Sequence, residues 1–222
     1  MSIKPNIEIT DDGTATLRHP VFGDTYHSLH GAVAEAEHVY IQNGLAMVHG
    51  PKARILEIGF GSGLNAWRSL LYGADNSLPI EYCALELYPI DIHIAETLDY
   101  TDSPLFMSLH TTPWETPQQI TPLFKLTKYA SDLTAEMQPW TNMDFDIIYF
   151  DAFAPDTQPE MWSNEIFTRL YTCLIPGGAL VTYSAKGIVK QTLRETGFIV
   201  KRLPGAPGKH HMLRAEKHLI QP

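Results

Sequence analysis

Three glycines at alternate positions close an apolar strand and open a helix, and this junction restricts the fold more than any other feature of the chain. The run reads Ile55-Leu56-Glu57-Ile58-Gly59-Phe60-Gly61-Ser62-Gly63-Leu64-Asn65. Without a Cβ, glycine lets the backbone take positive φ and lets another group approach it closely. The helix expected over Leu64–Tyr72 offers unpaired N–H groups at its first turn. A strand, a tight turn and a helix make the first unit of an alternating α/β fold, whose ligand crevice lies beyond the carboxyl ends of the strands.

The spacing of the glycines separates two cofactor classes. Dinucleotide enzymes use G-x-G-x-x-G and rest a pyrophosphate on the helix. The pattern here is E-x-G-x-G-x-G, with an acid two residues ahead of the glycines, which is the pattern of S-adenosylmethionine (SAM) sites. SAM has no phosphate to cradle, and its positively charged amino-acid end favours a carboxylate. Glu57 is the candidate, directly or through water, with Gly59, Gly61 and Gly63 forming the cradle. The plain alternative is a tight corner with no ligand.

The rest of the chain alternates strands and helices. Ile7–Leu17 alternates around Asp12-Gly13, a hairpin signal. The segment Tyr26–Tyr40 carries a helical stripe of Ala32, Ala36, Val39 and Tyr40 and ends near Asn43-Gly44. We read residues 1–50 as a hairpin and helix cap within the same domain as a Rossmann-like core over 51–222. Core strands are expected at Arg54–Ile58, Ile80–Glu86, Leu123–Tyr129, Phe145–Asp151 and Ala179–Ser184. Helices are expected at Leu64–Tyr72, Ile90–Leu98, Glu160–Cys173 and Gly187–Thr196, with a Pro-rich stretch over Ser103–Pro122 and a turn at Pro176-Gly-Gly178. Phe198–Leu203 and His210–Glu216 are joined by a link too short for a parallel crossover, so they pair as a hairpin. A doubly wound α/β sheet with an antiparallel last strand resembles the class I methyltransferases.

At 222 residues with 44% hydrophobic residues, the chain suits one α/β unit. It has no apolar run near the length of a membrane span, and Met1–Glu8 lacks a signal-peptide core, so a cytoplasmic location without a membrane partner is expected. Cys83 and Cys173 are expected to be core thiols. The net charge of −9 is unevenly distributed. Residues 186–217 hold eight Lys/Arg against Glu195 and Glu216, a local balance of +6. Such a segment is either a solvated surface or a phosphate-binding one. Adjacent strand residues face opposite ways, so His210-His211 does not suggest a shared ion, and no metal site is expected. A surface or core role is expected for His27 and His30. Ser62 and Ser184 have no evident His partner, which argues against nucleophilic hydrolysis.

Four acids, Glu57, Glu86, Asp132 and Asp151, fall at strand ends on the crevice edge. Glu86 is placed to accept from the ribose hydroxyls of SAM, and Asp132 to meet the adenine amino group or, as its neighbours also allow, to cap a turn. Asp151 enters Ala152-Phe153-Ala154-Pro155 beside the presumed methyl donor. A carboxylate there can orient an amine and accept its proton, and Phe153 can stack on a base.

Glu57–Asn65, Asp151–Pro155, Pro159-Glu-Met-Trp162 and Pro176–Ser184 together resemble the tRNA 5-methylaminomethyl-2-thiouridine methyltransferases, found as the methyltransferase half of bifunctional MnmC and alone as MnmD. The resemblance spans nearly the whole chain. It implies SAM-dependent methylation of the exocyclic amine of 5-aminomethyl-(2-thio)uridine at the tRNA wobble position, with Asp151 next to that amine and without the FAD-dependent half. It also implies that Phe60 and Asn65 belong to the cofactor turn, that Tyr26 and Phe153 face the base, and that Lys186, Lys190, Arg194, Lys209 and Arg214 contact the anticodon arm. No protein partner is expected. Competing readings are a small-molecule amine methyltransferase, an aminopropyltransferase-like enzyme, and a noncatalytic SAM- or RNA-binding module.

Overall fold

The computed structural model describes residues 4–136 and 138–219. The first three residues of the stretch read for a signal core lie outside them. β1 (Asn6–Ile9) and β2 (Ala15–Arg18) form the expected hairpin, with Ile9 opposite Ala15. Asp12 closes the turn by accepting from the hydroxyls of Thr10 and Thr14. The cap helix is α-helical only over α1 (Ala32–Glu35). It then widens into a π-helix over Ala36–Gln42. The stripe Ala32, Ala36, Val39 and Tyr40 is buried as its period predicted, but a single widened turn leaves no separate mark on a pattern of 3.6.

The main sheet has eight strands: β3 (Ala53–Ile58), β4 (Ile80–Leu85), β5 (Gln118–Thr121), β6 (Phe124–Tyr129), β7 (Phe145–Phe150), β8 (Leu174–Thr182), β9 (Ile199–Pro204) and β10 (His211–Glu216). Their order is β5-β6-β4-β3-β7-β8-β10-β9. β6, β4, β3, β7 and β8 run parallel, and β10 lies antiparallel between β8 and β9. This is the doubly wound sheet with an antiparallel last strand. The chain leaves β3 towards β4 and β6 on one side and returns to β7 and β8 on the other, so the topological switch point falls between β3 and β7.

Side chains alternate between two cores. Ile55, Tyr82, Ala84, Ile147 and Tyr149 meet the cap, α2 (Leu64–Asp75) and α4 (Pro104–Thr111). Leu56, Ile58, Cys83, Ile148 and Phe150 meet α5 (Asn164–Cys173) and α6 (Gly187–Glu195) on the other face. Cap residues Ala15, Leu17 and Tyr40 share the first cluster with the sheet. No described helix is long and apolar enough to cross a membrane.

Several expected elements take other bounds. The helix read at Ile90–Leu98 is the single turn α3 (Ile92–Ala95), started by the Asp91 carboxylate accepting from the His93 amide. The Pro-rich stretch, for which no element was named, contains α4 and β5: Ser103 caps the Leu105 amide and Pro104 fills the first helical position. The helix read from Glu160 is a 3-10 turn over Pro159–Trp162, then α5 restarted by Ser163 accepting from Ile166. β8 begins at Leu174 and runs through the Pro-Gly-Gly turn, with a register shift against β7.

Candidate active site

The switch point is built by the glycine turn and the end of β7. The Asp151 amide donates to the Ile58 carbonyl at 3.0 Å, which carries the β7 chain alongside the turn. Gly59 has φ 89°, and a Cβ there would stand 2.7 Å from the Asp151 carbonyl oxygen. Gly61 has φ 50°, and its Cβ would stand 2.8 Å from the Tyr26 ring. Both positions therefore need glycine for conformation and for space. Beyond the turn lies a cavity of about 350 Å³, roofed by the cap. Trp162 Nε1 donates to the Phe153 carbonyl at 2.8 Å, so the Pro-Glu-Met-Trp segment holds the Asp151–Pro155 loop against it.

Gly59, Phe60, Gly61, Glu86, Asp132, Asp151, Tyr26, Phe153 and Lys209 line this cavity. Glu86 accepts from the amides of Gly61 and Tyr88, each at 2.8 Å. Burial raises its pKa and those amides pull it back. Phe60 packs edge to face on His110 and Trp114. Phe153 lies among Phe22, Tyr26 and His19 with ring centroids 5.2–5.3 Å away, forming an aromatic wall. Asp132 caps its turn, one oxygen accepting from the Thr134 amide and hydroxyl, and it also lines the cavity.

Three residues assigned to the cofactor stand behind the cavity wall. Glu57 is fully buried and does not line the cavity. It shares the parity of Ile55 on β3, so it faces the α2 layer and not the crevice. Gly63 is the residue before α2 and packs towards His110. Asn65, in the first turn of α2, donates from Nδ2 to Asp151 Oδ2 at 2.8 Å and so holds the carboxylate that does face the cavity.

The lining is acidic. Asp24, Glu35, Glu86, Asp132 and Asp151 face one described lysine, Lys209. Lys209 pairs with Glu35 and lies 4.1 Å from the centre of the Tyr183 ring. Burial, then the nearby Glu35 charge, push the Asp151 carboxyl up to about 7, while the Tyr40 hydroxyl, Asn65 and Lys209 oppose the rise. A cavity of this charge suits a cationic or amine-bearing ligand. Among the described residues no three His, Cys, Asp or Glu side chains are grouped to hold a metal ion.

The basic carboxyl segment divides. Lys186 pairs with Asp156, and Lys190 and Arg194 lie along α6. Arg214 is a correction: its guanidinium is only 12% exposed and donates to the Asn43 carbonyl at 2.9 Å and to Glu216 at 3.0 Å. It sits on β10, inside the sheet, where it ties the cap to the core. Lys209 is spent on the cavity wall, as described above.

Ser62 does have a histidine partner. His27 Nε2 and Ser62 Oγ are 2.6 Å apart, and burial pushes the His27 pKa down to about 4, so the imidazole is neutral. Ser62 is fully buried, so the pair fastens the cap to the glycine turn and presents no nucleophile. His27 and His30 both reach the cavity. Sequence reasoning missed Glu35 and Tyr183. A lone acid inside the apolar cap stripe was the available signal for Glu35. Tyr183 stood within the Pro176–Ser184 run with no role assigned to it.

A family profile described as S-adenosyl-L-methionine-dependent methyltransferase matches residues 110–218. A protein of Paracidovorax citrulli named tRNA 5-methylaminomethyl-2-thiouridine biosynthesis bifunctional protein MnmC is 32% identical over 95% of this chain. Its namesake from Pseudomonas fluorescens is 29% identical over 96% of the chain. The chain spans about a third of the length of each, 35% in both cases. Among solved structures, MNMC2 from Aquifex aeolicus superposes with a TM-score of 0.79 at 23% identity, over 100% of this chain and 73% of that one. Spermidine synthase from Thermotoga maritima superposes with a TM-score of 0.54 at 14% identity, over 99% and 83%. At these identities the two structures show a common fold.

Proposed function

We propose that this chain is an S-adenosyl-L-methionine-dependent methyltransferase and that it methylates the exocyclic amine of 5-aminomethyl-(2-thio)uridine at the wobble position of tRNA. The observation that carries the reading is Asp151: a carboxylate fixed by Asn65, at the switch point, opening into an acidic cavity floored by glycines. SAM fits these residues. Its ribose hydroxyls would meet Glu86, its adenine would lie near Leu87 and Asp132, and its cationic amino-acid end would enter a cavity rich in carboxylates. Bound there, SAM supplies an electrophilic methyl group on a sulfonium.

The acceptor must be a neutral amine with its lone pair aimed at that methyl. The carboxylates attract the amine as an ammonium, and Asp151 takes one proton from it to free the lone pair; the neutral nitrogen then bonds the methyl carbon as the carbon–sulfur bond breaks, leaving a methylammonium product and a neutral thioether. Tyr26 and Phe153 supply an apolar wall for an unstacked base, and Lys209, Glu35 and Tyr183 close the other side. The reaction needs neither a metal nor FAD. The wobble base lies in a single-stranded loop, where extrusion costs little. Lys186, Lys190 and Arg194 are the remaining candidates for anticodon-arm phosphates. The protein would act in the cytoplasm.

The direct test is mass spectrometry of wobble nucleosides after incubating tRNA from a strain lacking this gene with the protein and SAM. A gain of one CH2 on the aminomethyl nucleoside is expected. Methylation of small amines at the same rate, with tRNA untouched, would move the acceptor to metabolites. Transfer only from decarboxylated SAM would make the protein an aminopropyltransferase.

Two further outcomes follow from the charges. Asp151 works ionised, so kcat/KM is expected to rise with pH through about 7, and the limb at that position should disappear in Asp151→Asn. Replacing Lys190 and Arg194 together is expected to weaken tRNA binding about tenfold at low salt, and less at high salt, because such contacts act by counterion release. An unchanged affinity at low salt would return α6 to an ordinary solvated surface.

A further inference from the structure

Glu57 is unused by the mechanism, yet it occupies the most protected position near the site. It pairs in register with Ala84 of β4 on one side and Tyr149 of β7 on the other, under α2. Its side chain is fully buried, and neither carboxyl oxygen has a hydrogen-bond partner. Two neighbouring polar groups are orphaned with it: Asn65 Oδ1, which can only accept, and the Tyr82 hydroxyl, which can donate or accept. Asn65 meanwhile donates to Asp151.

The Tyr82 O–H can donate to one Glu57 oxygen whether or not Glu57 is charged, but Asn65 Oδ1 gains a donor from Glu57 only when that carboxyl is protonated. An ionised Glu57 has only acceptors, and leaving a bare carboxylate buried costs several kcal/mol. Two carboxylates this close cannot both ionise freely, and Asp151 has Asn65 and Lys209 beside it as donor and counter-charge. A protonated Glu57 gains a donor, and Asn65 Oδ1 is an acceptor without a donor. The match also fixes the Asn65 amide. With its oxygen held by Glu57, its nitrogen must face Asp151.

We propose that Glu57 is a neutral, proton-donating positioning residue whose carboxyl O–H donates to Asn65 Oδ1 and thereby keeps Asn65 Nδ2 on the Asp151 carboxylate. Its activity readouts rest on the methyltransferase reading above; its spectroscopic and stability readouts do not. Burial, then the Asp151 charge, hold the Glu57 carboxyl well above the usual range, in keeping with this role. The groups facing the pair are Tyr82 on β4, Tyr149 on β7, Glu86 after β4, Glu35 and Tyr40 of the cap, Tyr183 after β8 and Lys209 after β9.

The test compares wild type, Glu57→Gln and Glu57→Leu. Glutamine keeps a donor and carries no charge, so SAM affinity, turnover and the pH limb of Asp151 should stay within about threefold of wild type. Leucine removes the donor, so SAM affinity should hold while turnover falls about tenfold or more and the limb moves to higher pH, since the ionised Asp151 loses an oriented hydrogen bond. Infrared difference spectra of Asp151→Asn against Asp151→Asn/Glu57→Gln at neutral pH should show a protonated-carboxyl band only with Glu57 present. Unfolding gives the same answer without activity. The unfolded state releases the Glu57 proton above its ordinary pKa near 4.5, whereas the folded state retains it, so wild type loses stability as pH rises. Glu57→Gln should therefore raise Tm near pH 7.5 by about 3 °C, with the gain vanishing towards pH 4.5.

A tenfold loss of SAM affinity in Glu57→Gln would make Glu57 an ionised cofactor ligand and overturn the proposal, as would absence of the infrared band. If wild type methylates no tRNA, the functional reading fails, but the band and the Tm difference still decide the state of Glu57. If the leucine variant does not fold, the glutamine variant and the spectra carry the decision.

Discussion

Asp151→Ala is expected to lower methyl transfer to the aminomethyl nucleoside by about 10³-fold while SAM binds within about threefold of wild type, because general-base assistance and amine orientation are lost together. Asp151 reaches the cavity from the end of a strand whose residues other than Asp146 are buried, and its amide is held by Ile58. Removing the side chain therefore leaves the backbone at the switch point in place. Asp151→Asn separates the two contributions: it keeps a polar group of the same size and loses the base. Equilibrium binding of SAM together with single-turnover transfer measures both quantities, and wild-type turnover in either variant would remove Asp151 from the mechanism.

Gly59→Ala is the second large effect and acts through the backbone. The residue sits at φ 89°, and a Cβ would stand 2.7 Å from the Asp151 carbonyl oxygen and 3.3 Å from its carbon. The strained conformation costs about 1–3 kcal/mol, and the contact must be relieved by parting β3 from β7 at the point where they carry the site. We expect a loss of about 3 kcal/mol of stability and loss of detectable SAM binding, read by thermal unfolding with and without SAM. Gly187→Ala is the control, since nothing lies within 4 Å of a Cβ there. A Gly59→Ala protein that bound SAM normally would mean that the turn is not the cofactor floor.

The fold was legible where local pattern and chain topology agree. The glycine turn, the alternating strands and the closing hairpin pointed to a doubly wound sheet with an antiparallel last strand, and with it to the crevice edge on which Glu86 and Asp151 lie, but not to β5. Glu57 lies two residues from Ile55 on a strand, so the period of 2 places both on the α2 face, which the glycine motif alone does not indicate. Arg214 misled for a similar reason. Its charge suggested a surface, whereas β10 has a strand on each side. The α4 segment carried its own Ser103-Pro104 start signal, hidden among prolines. The pairing of Glu35 with Lys209 had no local sign, because each side chain acquires its role only from the other.

That pairing also bears on how the molecule assembles. Glu35 and Lys209 are separated by 174 positions, and Gly208 packs against His30 on the same boundary. The floor of the cavity joins segments 86 positions apart, as Asn65 and Asp151 show, whereas its wall closes only when an early segment meets a late one across about twice that separation. Long loop closure is slow and entropically costly. The floor can thus form before the wall, and a ligand that touches both joins the two ends of the chain in a single cooperative unit.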